Sequence, residues 1–256
     1  MDIQWTSLIE RLTERAGAQP DRLAYQFLID GQREGASLTY AELQSQCMHM
    51  ARRILKVAQP GERALLLYPP GTDFIVAFLG CLKAGVIAIP LPPPDLARSL
   101  RALPRLEAVV QDAEASLVLT TADIQADIKE RLQSESLADA GSEFSKLRWI
   151  NTPDVSPDES QTDVASDLPE INGEQIAFLQ YTSGSTSAPK GVMVSHANMV
   201  HQCRVLGAGA GYSDQSVACT WMPYHHDYGL IEGLMLPLFH GVPCYLMSPV
   251  TLIRRP

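Results

Sequence analysis

Five hydroxyl side chains, Thr182, Ser183, Ser185, Thr186 and Ser187, crowd around Gly184, and Lys190 and Gly191 follow close behind. Small side chains let backbone N–H groups approach an oligophosphate, glycine permits the positive-φ turn this requires, and hydroxyls add further donors. A single lysine then neutralises phosphate charge. The run therefore reads as a phosphate-gripping turn. Thr182, Ser183, Ser185, Thr186 and Lys190 are its candidate contacts, and Gly184 and Gly191 let the chain fold over. A Walker A loop is the obvious competitor, but it needs Gly-x-x-x-x-Gly-Lys-Ser/Thr running straight into a helix. Counting from Gly184, the sixth position is Pro189, and Lys190 leads into an apolar run instead. A plain flexible Ser/Thr/Gly loop is the other alternative. It is less ordinary here, because Pro189-Lys190-Gly191 closes a turn between two apolar segments.

A second constellation lies at Tyr224-His225-His226-Asp227-Tyr228. Adjacent histidines invite a metal reading, yet no cysteine or histidine partner stands at a ligand spacing, so no metal site is expected from these residues. A stacked pocket wall is the better reading, with a hydrogen-bonded core histidine as the alternative for His226. Trp221, Met222, Tyr224, Leu230, Ile231, Leu234 and Met235 would line an apolar channel or serve equally well as ordinary core. Periodicity alone does not separate the two.

Tyr181-Thr-Ser-Gly-Ser-Thr-Ser-Ala-Pro-Lys-Gly-Val192 resembles the signature loop of the adenylate-forming superfamily, Thr-Ser-Gly-Ser-Thr-Gly-x-Pro-Lys-Gly, with Ser187 standing where most members carry glycine. Trp221-Met-Pro-Tyr-His-His-Asp-Tyr-Gly-Leu230 is similar to the acyl-pocket motif of fatty-acyl-AMP ligases, often Leu-Pro-x-x-His-Asp-Met-Gly-Leu. Tyr-Pro-Pro-Gly at 68–71 and the proline block at 90–94 extend the resemblance over most of the chain.

The resemblance implies a two-step reaction. A fatty acid carboxylate attacks the α-phosphate of ATP, giving an acyl-adenylate and pyrophosphate, and a thiol then takes the acyl group. It implies Mg²⁺ alongside ATP, with an acyl carrier protein as acceptor or, in the near rival, coenzyme A. Lys190 and the hydroxyl run would meet the β- and γ-phosphates. His226 would sit beside the acyl carboxylate and adenylate, Asp227 would orient its surroundings, and Trp221, Tyr224, Gly229 and Leu230 would belong to the substrate pocket. It also implies that the chain stops inside a continuing domain and is inactive alone. A non-catalytic binding or docking module that keeps the loop's shape is the rival from another class.

The elements that must position these residues follow from hydrophobic patterning. Apolar strands flank the hydroxyl run at 176–181 and 191–194, and a helix starts near Ser195 and ends at about Leu206. Upstream, an amphipathic helix spans 5–15 and strands form at 23–29 and 36–38. Thr39 and Glu42 have capping-box spacing for a helix over 40–56. The runs 64–68 and 86–89 are short, apolar and bounded by turn residues, as expected of strands buried on both faces, with a helix over 73–84 ending at Gly85. Further helices are expected at 97–113 and 122–132, with strands at 116–120 and 147–150. A strand at 217–221, a helix over 228–239 and a strand at 242–247 complete the pattern, with a glycine-rich turn at 207–211.

Repeated βαβ units make this an α/β fold rather than a barrel or bundle. Residues 1–150 are expected to form an N-terminal α/β subdomain, 151–173 an acidic linker or surface loop, and 174–256 the start of a second α/β subdomain. With 46% hydrophobic residues among 256, the chain can bury a proper core. A net charge of −9 with no basic cluster argues against nucleic acid as partner. Five scattered cysteines without a Cys-x-x-Cys pair suggest a reducing, cytoplasmic setting. The apolar stretch 74–91 raises the question of a membrane span, but Lys83, Gly80, Gly85 and Pro90 break it up as a buried helix and strand would be.

Overall fold

The computed structural model describes residues 5–95, 102–133, 143–152, 168–182 and 189–254. Ten strands and nine α-helices are described in these segments. Strands β1 (Leu23–Leu28) and β2 (Glu34–Thr39) form a hairpin, and β3 (Arg63–Leu67), β4 (Ile87–Leu91), β5 (Leu117–Thr120) and β6 (Arg148–Asn151) follow. The later strands are β7 (Ile176–Thr182), β8 (Lys190–Ser195), β9 (Ala218–Thr220) and β10 (Cys244–Met247). They make two sheets, one ordered β2-β1-β10-β9 and one ordered β6-β5-β3-β4-β7-β8. The pairings β3–β4, β3–β5, β4–β7, β5–β6, β1–β10 and β9–β10 are parallel, as the βαβ pattern requires.

Neither sheet is partitioned at residues 150 and 174. Tyr25 pairs with Cys244 in the smaller sheet, and Ala88 pairs with Phe178 in the larger.

The central strands of the larger sheet are buried on both faces, and β3 shows why. Ala64 and Leu66 enter one apolar cluster while Leu65 and Leu67 enter the other. Successive strand side chains point to opposite faces, so a continuous apolar run is what a doubly covered strand needs. On the first face lie α1 (Leu8–Ala18), α2 (Tyr40–Leu55), α3 (Thr72–Ala84) and α6 (His196–Ala210), whose buried side chains merge with those facing the smaller sheet. On the second lie α4 (Ala102–Ala113) and α5 (Ala122–Gln133). The α2–α3 contact is close because Gly80 lies against the Met50 side chain, where a Cβ would fall 2.5 Å from Cγ.

The ends of the helices are set by the residues that the patterning singled out. The Thr39 hydroxyl accepts from the Glu42 amide while the Glu42 carboxylate accepts from the Thr39 amide, which completes the capping box. Gly85 closes α3 in the left-handed conformation at φ 67°. Two expectations change.

The helix after β8 does not stop near Leu206. It runs to Ala210, and Gly211 at φ 67° terminates it. Gly207 lies within the helix with the His240 ring packed against it, Nε2 only 1.9 Å from where a Cβ would stand.

The helix expected over 228–239 is three pieces: α7 (Asp227–Leu230), a π-helical turn over Ile231–Met235, and α8 (Leu236–His240). Pro237 has no N–H to give the Gly233 carbonyl four residues back, so a regular ladder cannot pass through it. The Cys244 thiol donates to that carbonyl instead, at 3.3 Å, and the Tyr25 hydroxyl donates to the Leu234 carbonyl at 2.7 Å. Beyond the turn, Arg11 donates to the Phe239 carbonyl at 2.7 Å and Arg15 to the His240 carbonyl at 2.8 Å. Cations at a helix C-terminus satisfy its free carbonyls and oppose its negative dipole end. A short helix not expected from the patterning, α9 (Pro249–Arg254), follows β10.

Among the described residues, no helix is long and apolar enough to cross a membrane. The stretch 74–91 is instead α3 and β4, with Phe74, Ile75, Phe78, Leu79 and Leu82 all fully buried.

Candidate functional site

Strands β7 and β8 pair antiparallel from Ile176↔Ser195 to Thr182↔Lys190, so the hydroxyl run is the connection of a hairpin. Ser183, Gly184, Ser185, Thr186 and Ser187 lie outside the described residues. What the structure describes is the stem: Thr182 ends one strand, and exposed Lys190 opens the other directly opposite. The antiparallel partner places the lysine at the mouth of the turn rather than on a helix, unlike a Walker A lysine.

The stem is held from both faces. Tyr181 donates its hydroxyl to Asp112 of α4 at 2.5 Å. Its ring lies across Gly191, where a Cβ would come within 2.9 Å of the ring, so a side chain there would have to displace the tyrosine. Burial, reinforced by the Asp112 carboxylate, pushes the Tyr181 phenol well above its ordinary value and keeps it a donor. Gln180, the neighbouring residue, points to the opposite face and donates through Nε2 to the His225 carbonyl at 2.8 Å.

That bond brings the second motif to the hairpin. The chain from Trp221 to His226 links β9 to α7 across the first face of the larger sheet. Tyr224 anchors it, stacking on Phe74 of α3 with ring centroids 3.7 Å apart and planes inclined 23°. Phe74 continues to Phe78, and Phe78 meets Phe178 of β7 edge-on, which makes an aromatic core beneath the loop. Tyr68, at the end of β3, completes it against Phe74. Burial raises the phenols of Tyr224 and Tyr68 well above the ordinary range, so both stay neutral.

Of the two histidines, His225 is half-buried and His226 exposed, with ring centroids 4.6 Å apart. Burial, and then the neighbouring His226, depress His225 to about 4, so it is uncharged near neutral pH. His226 precedes α7 as its N-terminal cap, its amide donating to the Pro223 carbonyl and its own carbonyl accepting from the Leu230 amide. The Asp227 carboxylate is turned onto its own helix and accepts from the Tyr228 amide at 2.8 Å. Gly229 permits the tight entry into α7, since a Cβ there would lie 2.2 Å from the Pro223 carbonyl oxygen.

The structure thus brings Thr182, Lys190 and Gly191 together at the hairpin stem, and His226, Asp227 and Gly229 at the loop beside it. Tyr224 and Leu230 are core residues, at the base of that loop and in α7, while Trp221 is partly exposed on its rim. Among the described residues, no group of three or more His, Cys, Asp or Glu side chains is placed to hold a metal ion. Reading motifs did not find Gln180, Asp112 or Phe74. For Gln180 a signal existed: one polar residue at the end of the apolar run Ile176-Ala-Phe-Leu179.

The sequence and the fold are shared with known proteins. The chain is 46% identical over 253 residues to a medium-chain-fatty-acid–[acyl-carrier-protein] ligase, JamA of Moorena producens, covering 99% of this chain and 41% of that protein. It is 32% identical over 263 residues to the long-chain-fatty-acid–AMP ligase FadD23 of Mycobacterium tuberculosis, covering 98% of this chain and 42% of that protein. Among solved structures, a fatty acid AMP ligase from Legionella pneumophila superposes with a TM-score of 0.84 at 32% identity, over 99% of this chain and 41% of that one. A fatty acyl-adenylate ligase from the same organism, in complex with acyl adenylate and pyrophosphate, superposes with a TM-score of 0.83 at 32% identity, over 99% of this chain and 42% of that one. The chain therefore spans about two fifths of the length of these relatives. Residues 12–256 match the family described as AMP-binding enzyme, and the chain belongs to that family.

Proposed function

We propose that the protein carrying this chain activates a fatty acid with ATP, forming an acyl-adenylate and pyrophosphate, and passes the acyl group to the phosphopantetheine thiol of an acyl carrier protein. The observation that carries the reading is the juxtaposition of the two motifs. The hairpin with Lys190 at its mouth and the His225-His226 loop are joined directly by the Gln180–His225 hydrogen bond.

In this reading Lys190 and the hydroxyl run, Thr182, Ser183, Ser185 and Thr186, neutralise and orient the β- and γ-phosphates, with Gly184 and Gly191 allowing the turn. Positioning and charge neutralisation are the main demands of attack on a phosphate, since little covalent chemistry falls to the protein. His226, exposed at the entry to α7, meets the acid's carboxylate and the adenylate. Asp227 fixes the first turn of that helix, and Trp221, Tyr224, Gly229 and Leu230 shape the adjoining wall. The names of JamA and FadD23 support a fatty acid as substrate, and that of JamA supports a carrier protein as acceptor. Mg²⁺, implied together with ATP, meets no three-ligand set among the described residues.

The test is pyrophosphate release by the full-length protein with ATP and fatty acids of graded length, followed by acyl transfer to a carrier protein and, in parallel, to coenzyme A. Lys190→Ala is expected to slow adenylation by about a hundredfold or more. Adenylation at the wild-type rate in that variant would remove the hairpin from the mechanism.

A further inference from the structure

Gln180 is 7% exposed and interrupts a strand that is otherwise apolar from Ile176 to Leu179. Its Nε2 donates to the His225 carbonyl at 2.8 Å, while its Oε1 is buried with no hydrogen-bond partner among the described residues. An acceptor buried without a partner costs more than one ordinary hydrogen bond contributes. As a purely architectural residue, then, Gln180 is a poor choice. A methionine of similar volume would fill the same space without the stranded oxygen, giving up only the donor to the His225 carbonyl. Its position is informative. Two residues further on, Thr182 ends the strand, and the opposite side of the stem is already pinned by the Tyr181–Asp112 bond. The stem is therefore fixed relative to α4 on one face, and Gln180 transmits that fixed position to the histidine loop on the other.

We propose that Gln180 is a positioning residue that ties the phosphate-gripping hairpin to the His225-His226 loop, holding the nucleotide's phosphate and the acid's carboxylate in one frame. This rests on the acyl-adenylate reading given above. The Tyr224–Phe74 stack holds the loop to α3, and the Gln180 bond ties it to β7. Reacting groups misplaced by about 1 Å lose about a hundredfold in rate, so a residue that fixes their relation acts on kcat more than on ATP affinity.

The experiment uses the full-length protein with ATP and a fatty acid, measuring acyl-adenylate formation. Gln180→Met is expected to lower kcat about tenfold to a hundredfold, leave KM for ATP within about twofold, and shift the melting temperature by no more than about 2 °C. Gln180→Glu adds a pH readout. A protonated carboxyl donates to the His225 carbonyl as the amide does, and a carboxylate cannot. Burial raises that carboxyl's pKa, so the ratio of variant to wild-type activity should rise as pH falls.

An unchanged kcat in Gln180→Met overturns the inference while the acyl-adenylate reading stands. A loss of kcat that appears only with a melting temperature lowered by more than about 5 °C also overturns it, by making the role one of stability. If Gln180→Met fails to fold, the Gln180→Glu ratio decides, and a flat ratio overturns the inference. A wild-type protein that makes no acyl-adenylate overturns the acyl-adenylate reading first, and this inference with it.

Discussion

Replacing His196 by phenylalanine should abolish a pH-dependent part of the chain's stability. His196 opens α6, is 1% exposed, and its Nδ1 has no hydrogen-bond partner among the described residues. Burial depresses it to about 4 from an ordinary value of 6.5, outweighing the opposing pull of Glu10. The folded chain thus holds the neutral ring, whereas the unfolded chain takes up a proton below 6.5. Between those two values the unfolded state binds more protons, so the stabilisation is fully present above pH 6.5 and is lost as pH falls towards 4. The difference of about 2.5 pKa units corresponds to a limit of about 3.4 kcal/mol, and to about 2 kcal/mol at pH 5. Urea unfolding at pH 7.5 and pH 5 measures it. Carboxylates titrate in both proteins, so the quantity to compare is the difference between their two pH dependences. His196→Phe should lose about 2 kcal/mol less than the wild type over this interval. Equal losses in the two proteins would show that His196 is protonated, or solvated, in the folded chain.

Three other outcomes follow from close contacts. Gly229→Ala drives a methyl to within 2.2 Å of the Pro223 carbonyl oxygen; it should cost about 1–3 kcal/mol and shift the His225 NMR resonances, since the same loop carries both. Gly207→Ala collides with the His240 ring, and calorimetry should show a destabilisation of the same order, about 1–3 kcal/mol, relieved when His240 is also made alanine. Arg11→Met removes the donor to the Phe239 carbonyl and the cation over the Trp5 ring at 4.0 Å; a loss of about 1.5–3 kcal/mol in urea unfolding is expected, and no loss would mean that Arg15 alone satisfies the helix end.

Local rules carried much of this fold because local chemistry decides it. The Thr39–Glu42 capping box and the left-handed Gly85 depend on residues close together in sequence, the doubly buried β3 is marked by its own continuous apolar run, and each appears where the spacing placed it. Prediction gave way where a distant partner intervenes. Gly207 reads as a helix breaker until the His240 ring is seen to occupy the space that its missing side chain leaves. Pro237 by itself bars a regular helix across 228–239, but the Cys244 thiol that serves the Gly233 carbonyl is visible only in three dimensions. At the candidate site the hydroxyl run, Lys190 and the His225-His226 pair were legible as residue types. Their link through Gln180 was not, because amide-to-carbonyl bonds leave no spacing in a sequence. Likewise, nothing local announces that β1 lies beside β10.

That last pairing governs how the chain must come together. Tyr25 meets Cys244, and Leu28 meets Met247, so the smaller sheet joins segments synthesised more than two hundred residues apart. Loop-closure entropy must be met before such contacts give anything back, which makes them late events. On a ribosome, β1 and β2 would emerge as a solitary hairpin, an arrangement marginal in water, and would wait for β10 with one flank unpaired. During that interval an unpaired strand flank is a template for aggregation, so the yield of folded chain should depend on the speed of elongation between these two points.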